Sequence, residues 1–155
     1  MLSHEELVVL GEVVERALAS GRRIVDPIAA EAGCLERGVG HDQWFSAVAA
    51  LGARGLIASQ TATPSQVVLL AATNQGILRH LDWSDFDLDG ARERLVSALR
   101  AAELNRPLPL ADVIGQPPLL VECLLDEWVT QRRVRYSPAP GRRFRIHWVD
   151  LASGG

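Results

Sequence analysis

Residues 47–57, AVAALGARGLI, contain the pattern that decides the fold. Val48 and Leu51 follow a helical spacing of apolar side chains, and Gly55 is a residue type at which helices commonly end. The apolar residues 56–58 follow at once and predict a strand. This stretch therefore predicts a helix that passes directly into a β-strand.

Three helices are predicted up to this point. The first begins with Ser3 and Glu6, whose spacing is that of a capping box, and ends at Gly21. The second begins at Asp26 and Pro27 and ends at Gly33. The third begins near Asp42 and directs Phe45, Val48 and Leu51 inward before it ends at Gly55.

A hairpin and a fourth helix are predicted after residue 55. Residues 61–65 have the composition of a turn, and residues 67–70 form an apolar returning strand. Thr73 can cap a helix over residues 74–81. The first half of the chain is therefore predicted to contain four helices and one β-hairpin.

The second half repeats this order. We predict a helix capped by Asp89 that reaches about Leu104, a short helix over 110–114, a helix over 118–131, and a hairpin around residues 137–141. Two registers support a repeat: Ile28 aligns with Leu110, and Leu51 aligns with Val129. The predicted organisation is a first domain over 1–82, an acidic connector over 83–89, a second domain over 90–150 and a disordered tail over 151–155.

Three motifs resemble a known family. They are Ile28-Ala29-x-x-Ala32-Gly33, Ala47-Val48-x-x-Leu51-x-x-Arg54-Gly55-Leu56-Ile57 and Thr73-x-x-Gly76-Ile77-Leu78. Together they are similar to the winged helix-turn-helix domains of bacterial regulators of the MarR and PadR kind. The resemblance implies a mainly α fold with small β-hairpins (α+β), built as two tandem winged-helix domains, and a role in transcription regulation by DNA binding.

Composition restricts the class of protein. The 155 residues include 48% hydrophobic and 23% charged residues, a net charge of −3, sixteen arginines and no lysine. No apolar run is long enough for a membrane span, and the acidic N-terminus lacks the positive region of a secretory signal. Cys34 and Cys123 provide neither a disulfide framework nor metal-ligand spacing. We expect a soluble, reduced, cytoplasmic protein without a membrane partner or an evident small-molecule ligand.

The net charge hides two different regions. Residues 82–131 carry a charge of −6, and residues 132–149 carry +6. In the last predicted strand, Arg143, Arg145 and His147 alternate with Phe144, Ile146 and Trp148, which places the cations on one exposed face. The candidate binding residues are Arg132, Arg133, Arg135, Arg142, Arg143 and Arg145. Such a set can contact the phosphates of double-stranded DNA.

An alternative partner is an acidic protein surface, including the acidic segments 82–89 or 122–127 of the same or another copy of the chain. Glu122, Asp126 and Glu127 on the predicted third helix of the second half oppose the approach of phosphate. Residues 119–121 are apolar and would need a partner if exposed. The chain could then be a protein–protein interaction module, such as a subunit of a chromosome-organising complex.

No motif indicates catalysis. Asp85-x-Asp87-x-Asp89-Gly90 matches the opening of a calcium loop, but its twelfth position is Val96 instead of glutamate, so helix capping is favoured. We expect no enzyme activity, no cofactor and no metal. Trp44, in the first turn of a helix, and Trp83, in the connector, are candidate interface residues, with packing between domains as the alternative.

Overall fold

The computed structural model describes residues 1–63 and 66–149, with the side chains of all of these except residues 63, 148 and 149. The predicted turn residues Pro64 and Ser65, the side chain of Trp148 and the predicted tail 151–155 lie outside the described residues. The chain divides into two compact units, Met1–Asp85 and Phe86–Gly155. The fold is α+β, as the sequence predicts.

Unit 1 contains four helices and a three-stranded antiparallel sheet. The elements are α1 (His4–Ser20), β1 (Ile24–Val25), α2 (Pro27–Glu36), α3 (His41–Ala53), β2 (Ile57–Thr63), β3 (Gln66–Ala72) and α4 (Asn74–Trp83). The strand order is β1-β3-β2, so the second hairpin strand lies in the middle of the sheet. Ile24 pairs with Ala71 on one side, and Ser59 pairs with Leu70 on the other.

The caps of unit 1 confirm the predicted helix starts. Ser3 and Glu6 form a reciprocal capping box, and the carboxylate of Asp26 accepts the N–H of Ile28. The prediction that α2 ends at Gly33 was wrong, since the helix continues to Glu36. Gly33 instead provides space for a neighbouring carboxylate, because a Cβ there would lie 2.1 Å from Oε1 of Glu12.

Unit 2 contains three helices and a two-stranded hairpin in its described residues. The elements are α5 (Leu88–Ala101), α6 (Leu110–Ile114), α7 (Pro118–Thr130), β4 (Val134–Ala139) and β5 (Arg143–Val149). A bridge between Leu108 and Phe144, with both N–H···O distances at 2.8 Å, ties the segment before α6 to β5. The element order of unit 1 up to its hairpin therefore recurs in unit 2, with a single bridge in place of β1.

Two sequence expectations for the first helix of unit 2, its cap and its end, were wrong. Asp87, and not Asp89, caps α5 by accepting the N–H of Gly90, and α5 ends at Ala101. Trp83 belongs to α4 and Asp89 to α5, so the segment between the helices is shorter than the predicted connector 83–89. The apolar residues 119–121 are buried and present no exposed surface.

The turns that follow α3 and α7 close with the same hydrogen bond, and they show that the predicted register between these two helices was off by one residue. The N–H of Leu56 donates to the carbonyl of Leu51 at 3.0 Å, and the N–H of Arg133 donates to the carbonyl of Trp128 at 2.8 Å. Leu51 therefore corresponds to the buried Trp128, and not to the exposed Val129. The sequence alignment failed because Arg132, with φ 59°, replaces the left-handed Gly55, with φ 73°.

The contact between α4 and the start of β2 predicts a destabilising substitution. A Cβ at Gly76 would lie 1.9 Å from the backbone carbonyl oxygen of Leu56, which cannot move without displacing the strand. We expect Gly76→Ala to lower the free energy of unfolding by about 1–3 kcal/mol, measured by urea denaturation.

Gly52→Ala is the matched control. A Cβ at Gly52, within α3, would be 3.7 Å from Oγ of Ser59, an ordinary contact. Because alanine favours a helix more than glycine does, this change should raise stability by about 0.5–1 kcal/mol. Equal destabilisation by the two substitutions would contradict the close approach at Gly76.

Candidate functional site

The hairpin of β4 and β5 has two chemically different faces. Phe144 and Ile146 are buried, whereas Arg143, Arg145 and His147 are exposed. The predicted alternation along β5 is therefore confirmed at these five residues. It places three nitrogen-rich side chains on the outer face of the hairpin.

The inner face of this hairpin is held by one hydrogen bond and one ring contact. The Tyr136 hydroxyl donates to the carboxylate of Asp126 on α7 at 2.5 Å. The ring of Tyr136 meets that of Phe144 edge to face, with centroids 6.0 Å apart. Both contacts act on the face opposite to the arginines, so they orient the hairpin without using its cations.

The outer face is interrupted by a register shift. Tyr136 pairs with Ile146, but Arg135 pairs with Trp148, so His147 has no opposite residue on β4. Such bulges redirect a side chain locally. Nε2 of His147 lies 3.1 Å from Oγ of Ser137, which is a hydrogen bond that positions the imidazole.

The six candidate arginines do not form one set. Arg133 is half-buried, and its guanidinium carbon lies 5.3 Å from the centroid of the Trp128 ring. The other five, which we call the hairpin arginines, are exposed and form no ion pair with any described residue; they are Arg132, Arg135, Arg142, Arg143 and Arg145. Five positive charges without an ion pair to a described residue therefore lie on 14 consecutive positions.

Within unit 2, no ion pair joins these five arginines to an acidic side chain among the described residues. The carboxylate of Glu127 accepts two hydrogen bonds from Arg92, at 2.8 and 3.1 Å. Asp89 pairs with the same guanidinium at 3.0 Å, and Asp87 caps α5. These acids have local structural partners and do not neutralise the hairpin.

A groove of about 650 Å³ lies where the hairpin meets the end of α7. We call it the Arg132 groove; its described lining is Val129, Arg132, Val134, Arg135 and His147. Two of the five hairpin arginines thus share a concave surface with an imidazole. Sequence reasoning missed Val129 and His147 as site residues, although the position of His147 in the alternation of β5 was a signal for it.

The accessible stripe of α7 is acidic. The helix buries seven of its thirteen residues, and Glu122, Asp126 and the 42%-exposed Val129 lie on the remaining arc. In unit 1, the exposed first turn of α3 contains Asp42 and Gln43 and no arginine. Neither helix therefore presents a cationic surface that could follow a phosphate backbone.

The two tryptophans proposed as interface residues are in different environments. Trp44 is 2% exposed and belongs to the core of unit 1, so it offers no exposed surface for an interface. The side chain of Trp44 points inward because it lies one turn before Ala47 and Val48, which are also buried. Trp83 is 46% exposed, with the Arg79 guanidinium carbon 5.2 Å from its ring centroid.

Nucleophilic and metal-binding groups are engaged in structural roles. Cys34 and Cys123 are buried, and burial followed by the nearby Glu12 carboxylate raises the pKa of the Cys34 thiol to about 11. Among the described residues, no cluster of three or more His, Cys, Asp or Glu side chains could hold a metal ion. None of the helices in this part of the chain combines the length and apolar character needed to cross a lipid bilayer.

The raised pKa of Cys34 predicts low thiol reactivity. At pH 8 a thiol with a pKa near 11 remains protonated, and the thiolate is the reactive form. We expect Ellman's reagent to modify the folded protein slowly and to modify both cysteines rapidly in denaturing urea. Cys123→Ser would isolate Cys34, and fast modification of this folded variant would contradict the prediction.

Substitutions of the neighbouring Arg132 and Arg133 should differ in their effect on the free energy of unfolding. Arg132 has a left-handed backbone that costs a non-glycine residue about 1–2 kcal/mol, so Arg132→Gly relieves strain while adding unfolded-state entropy. We expect it to leave the free energy of unfolding within about 1 kcal/mol of the parent. Arg133→Ala should lower this free energy by about 1–2 kcal/mol, since it uncovers Trp128. The reverse order of the two effects in urea denaturation would contradict the assignment.

The comparisons add no family assignment. Searches with protein-family models, curated proteins and solved structures found no match to the chain. The hairpin arginines and the surfaces around them are therefore the features that bear on function.

Proposed function

We propose that the chain is a non-catalytic DNA-binding protein, in which the second hairpin contacts the phosphate backbone of a duplex. The observation that supports this proposal most strongly is the set of five exposed hairpin arginines without ion pairs among the described residues. Leaving like charges close together is unfavourable unless an anionic partner compensates them. Duplex DNA supplies a dense row of such anions.

The element order supports a winged-helix identity for both units. Each unit has a helix, a short extended segment, two further helices and a hairpin, and in unit 1 the first strand pairs with the second hairpin strand. In this interpretation the hairpin of unit 2 is the wing. A role in transcription regulation is part of the proposal and follows from the same resemblance.

Backbone contact is favoured over base readout. Base-specific helices commonly present Arg, Lys, Asn or Gln to the major groove. The accessible arc of α7 instead contains Glu122 and Asp126, which phosphates would repel. We therefore propose weak sequence preference and strong salt dependence.

A salt titration of the wing-tip variant tests this proposal. Arg142→Ala with Arg143→Ala removes two of the five free charges beside the turn. Each phosphate contact contributes about 0.9 to the slope of log Kd against log salt, so we expect the slope to decrease by about 2. The measurement is fluorescence anisotropy with a labelled duplex over a series of salt concentrations.

The control removes the same charge elsewhere. Arg22 and Arg94 are exposed and form no ion pair with a described residue, so Arg22→Ala with Arg94→Ala matches the change in net charge. We expect this variant to keep the parent slope. An equal loss of slope in both variants, or no duplex binding by the parent at low salt, would contradict the proposal.

A protein-interaction role is the second candidate, favoured by an apolar surface in unit 1. A cavity of about 680 Å³ is lined by Met1, Leu2, Leu7, His80, Trp83 and Ser84, and Leu7 and Trp83 are substantially exposed. Exposed tryptophans are common in binding hot spots. Co-purification of a stoichiometric protein that survives nuclease treatment and is lost in Trp83→Ala would favour this role.

A further inference from the structure

Unit 1 contains a turn with which the Arg132 groove can be compared. Because the turn after α7 repeats the turn after α3, Val129, Arg132, Val134 and Arg135 correspond to Gly52, Gly55, Ile57 and Ala58. Unit 1 therefore forms the same helix-to-strand turn with no charged side chain at these four positions. The two arginines of the groove are not required by the fold.

The backbone at Arg132 strengthens this point. Unit 1 has glycine at this left-handed position, the residue type that adopts it without strain, whereas unit 2 has an arginine at φ 59°. Strained residues of this kind concentrate at functional sites. The exposed Arg132 side chain extends into the groove lining beside Arg135.

The groove combines the chemistry needed for a phosphate ester. Arg132 and Arg135 provide guanidinium donors suited to bidentate contact with phosphate oxygens, and His147 adds an imidazole held by Ser137. Val129 and Val134 provide an apolar wall. The volume of about 650 Å³ is in the range of small-ligand pockets, so it accommodates more than a single phosphate.

We propose that the Arg132 groove binds one nucleotide unit, with Arg132 and Arg135 on the phosphate and Val129 against the sugar or base. The nucleotide could belong to a DNA strand or be a free mononucleotide, since both present the same phosphorylated sugar. Binding of a nucleotide within a DNA strand rests on the proposed function, whereas binding of a free mononucleotide does not. The groove would then fix one nucleotide while the wing tip follows neighbouring phosphates.

The test replaces the groove arginines with their unit 1 counterparts. Arg132→Gly with Arg135→Ala produces the side chains that unit 1 already has at these positions, so the turn should be retained. The probe is 2′-deoxyadenosine 5′-monophosphate, with 2′-deoxyadenosine as the phosphate-free control. Binding to the full chain is followed at low salt by the imidazole NMR signals of His147.

We expect the monophosphate to shift the His147 signals and the nucleoside to leave them unchanged. The Kd should rise at least tenfold in the groove variant and stay within twofold of the parent in Arg142→Ala with Arg143→Ala. No response to the monophosphate, or equal binding by the groove variant and the parent, would overturn the proposal.

A competing duplex with 5′-hydroxyl ends distinguishes the two sources. If the duplex displaces the monophosphate, the groove holds a nucleotide of a DNA strand. If the monophosphate binds and the duplex does not bind at all, the groove proposal stands and the proposed DNA-binding function fails. If the duplex binds through the wing tip and the monophosphate does not bind, the groove proposal fails and the proposed function stands.

Discussion

The turn that follows the third helix of each unit determines where the hairpin begins. In both units the N–H two residues after the helix cap returns to a carbonyl within the last helical turn, and a left-handed residue lies between them. Gly55 takes this position in unit 1 and Arg132 in unit 2. Because the same hydrogen bonds close both turns, a buried strand residue, Ile57 or Val134, follows at the same distance. The difference between the two turns is therefore one of side chains on a shared backbone.

In unit 2 the acidic and the basic side chains have different environments. Arg92 compensates Glu127 and Asp89, and the Tyr136 hydroxyl bonds to Asp126, so these acids contribute to structure. The hairpin arginines have no such partners among the described residues. The proposed function supplies an external anion as their partner, and the acidic arc of α7 would favour its approach to the hairpin instead of the helix.

Local sequence signals predicted much of this fold. The caps at Ser3 and Asp26 and the two faces of β5 depend on interactions within a few residues, and they were predicted correctly. The end of α2 was predicted wrongly, because Gly33 provides space for the carboxylate of Glu12, which is distant in the sequence. The repeat register, the burial of Trp44 and the groove also depend on tertiary contacts. Residue type does not show that an arginine has a left-handed backbone, as Arg132 does. The groove could therefore be identified only from the structure.

An NMR titration of the full chain with a short duplex, following the arginine Nε–Hε signals, would show whether the hairpin arginines bind DNA. We expect the signals of the hairpin arginines to shift together, while that of Arg133, packed on Trp128, and that of the paired Arg92 change little. Shifts confined to unit 1, or no shift of the hairpin arginines at low salt, would contradict this expectation.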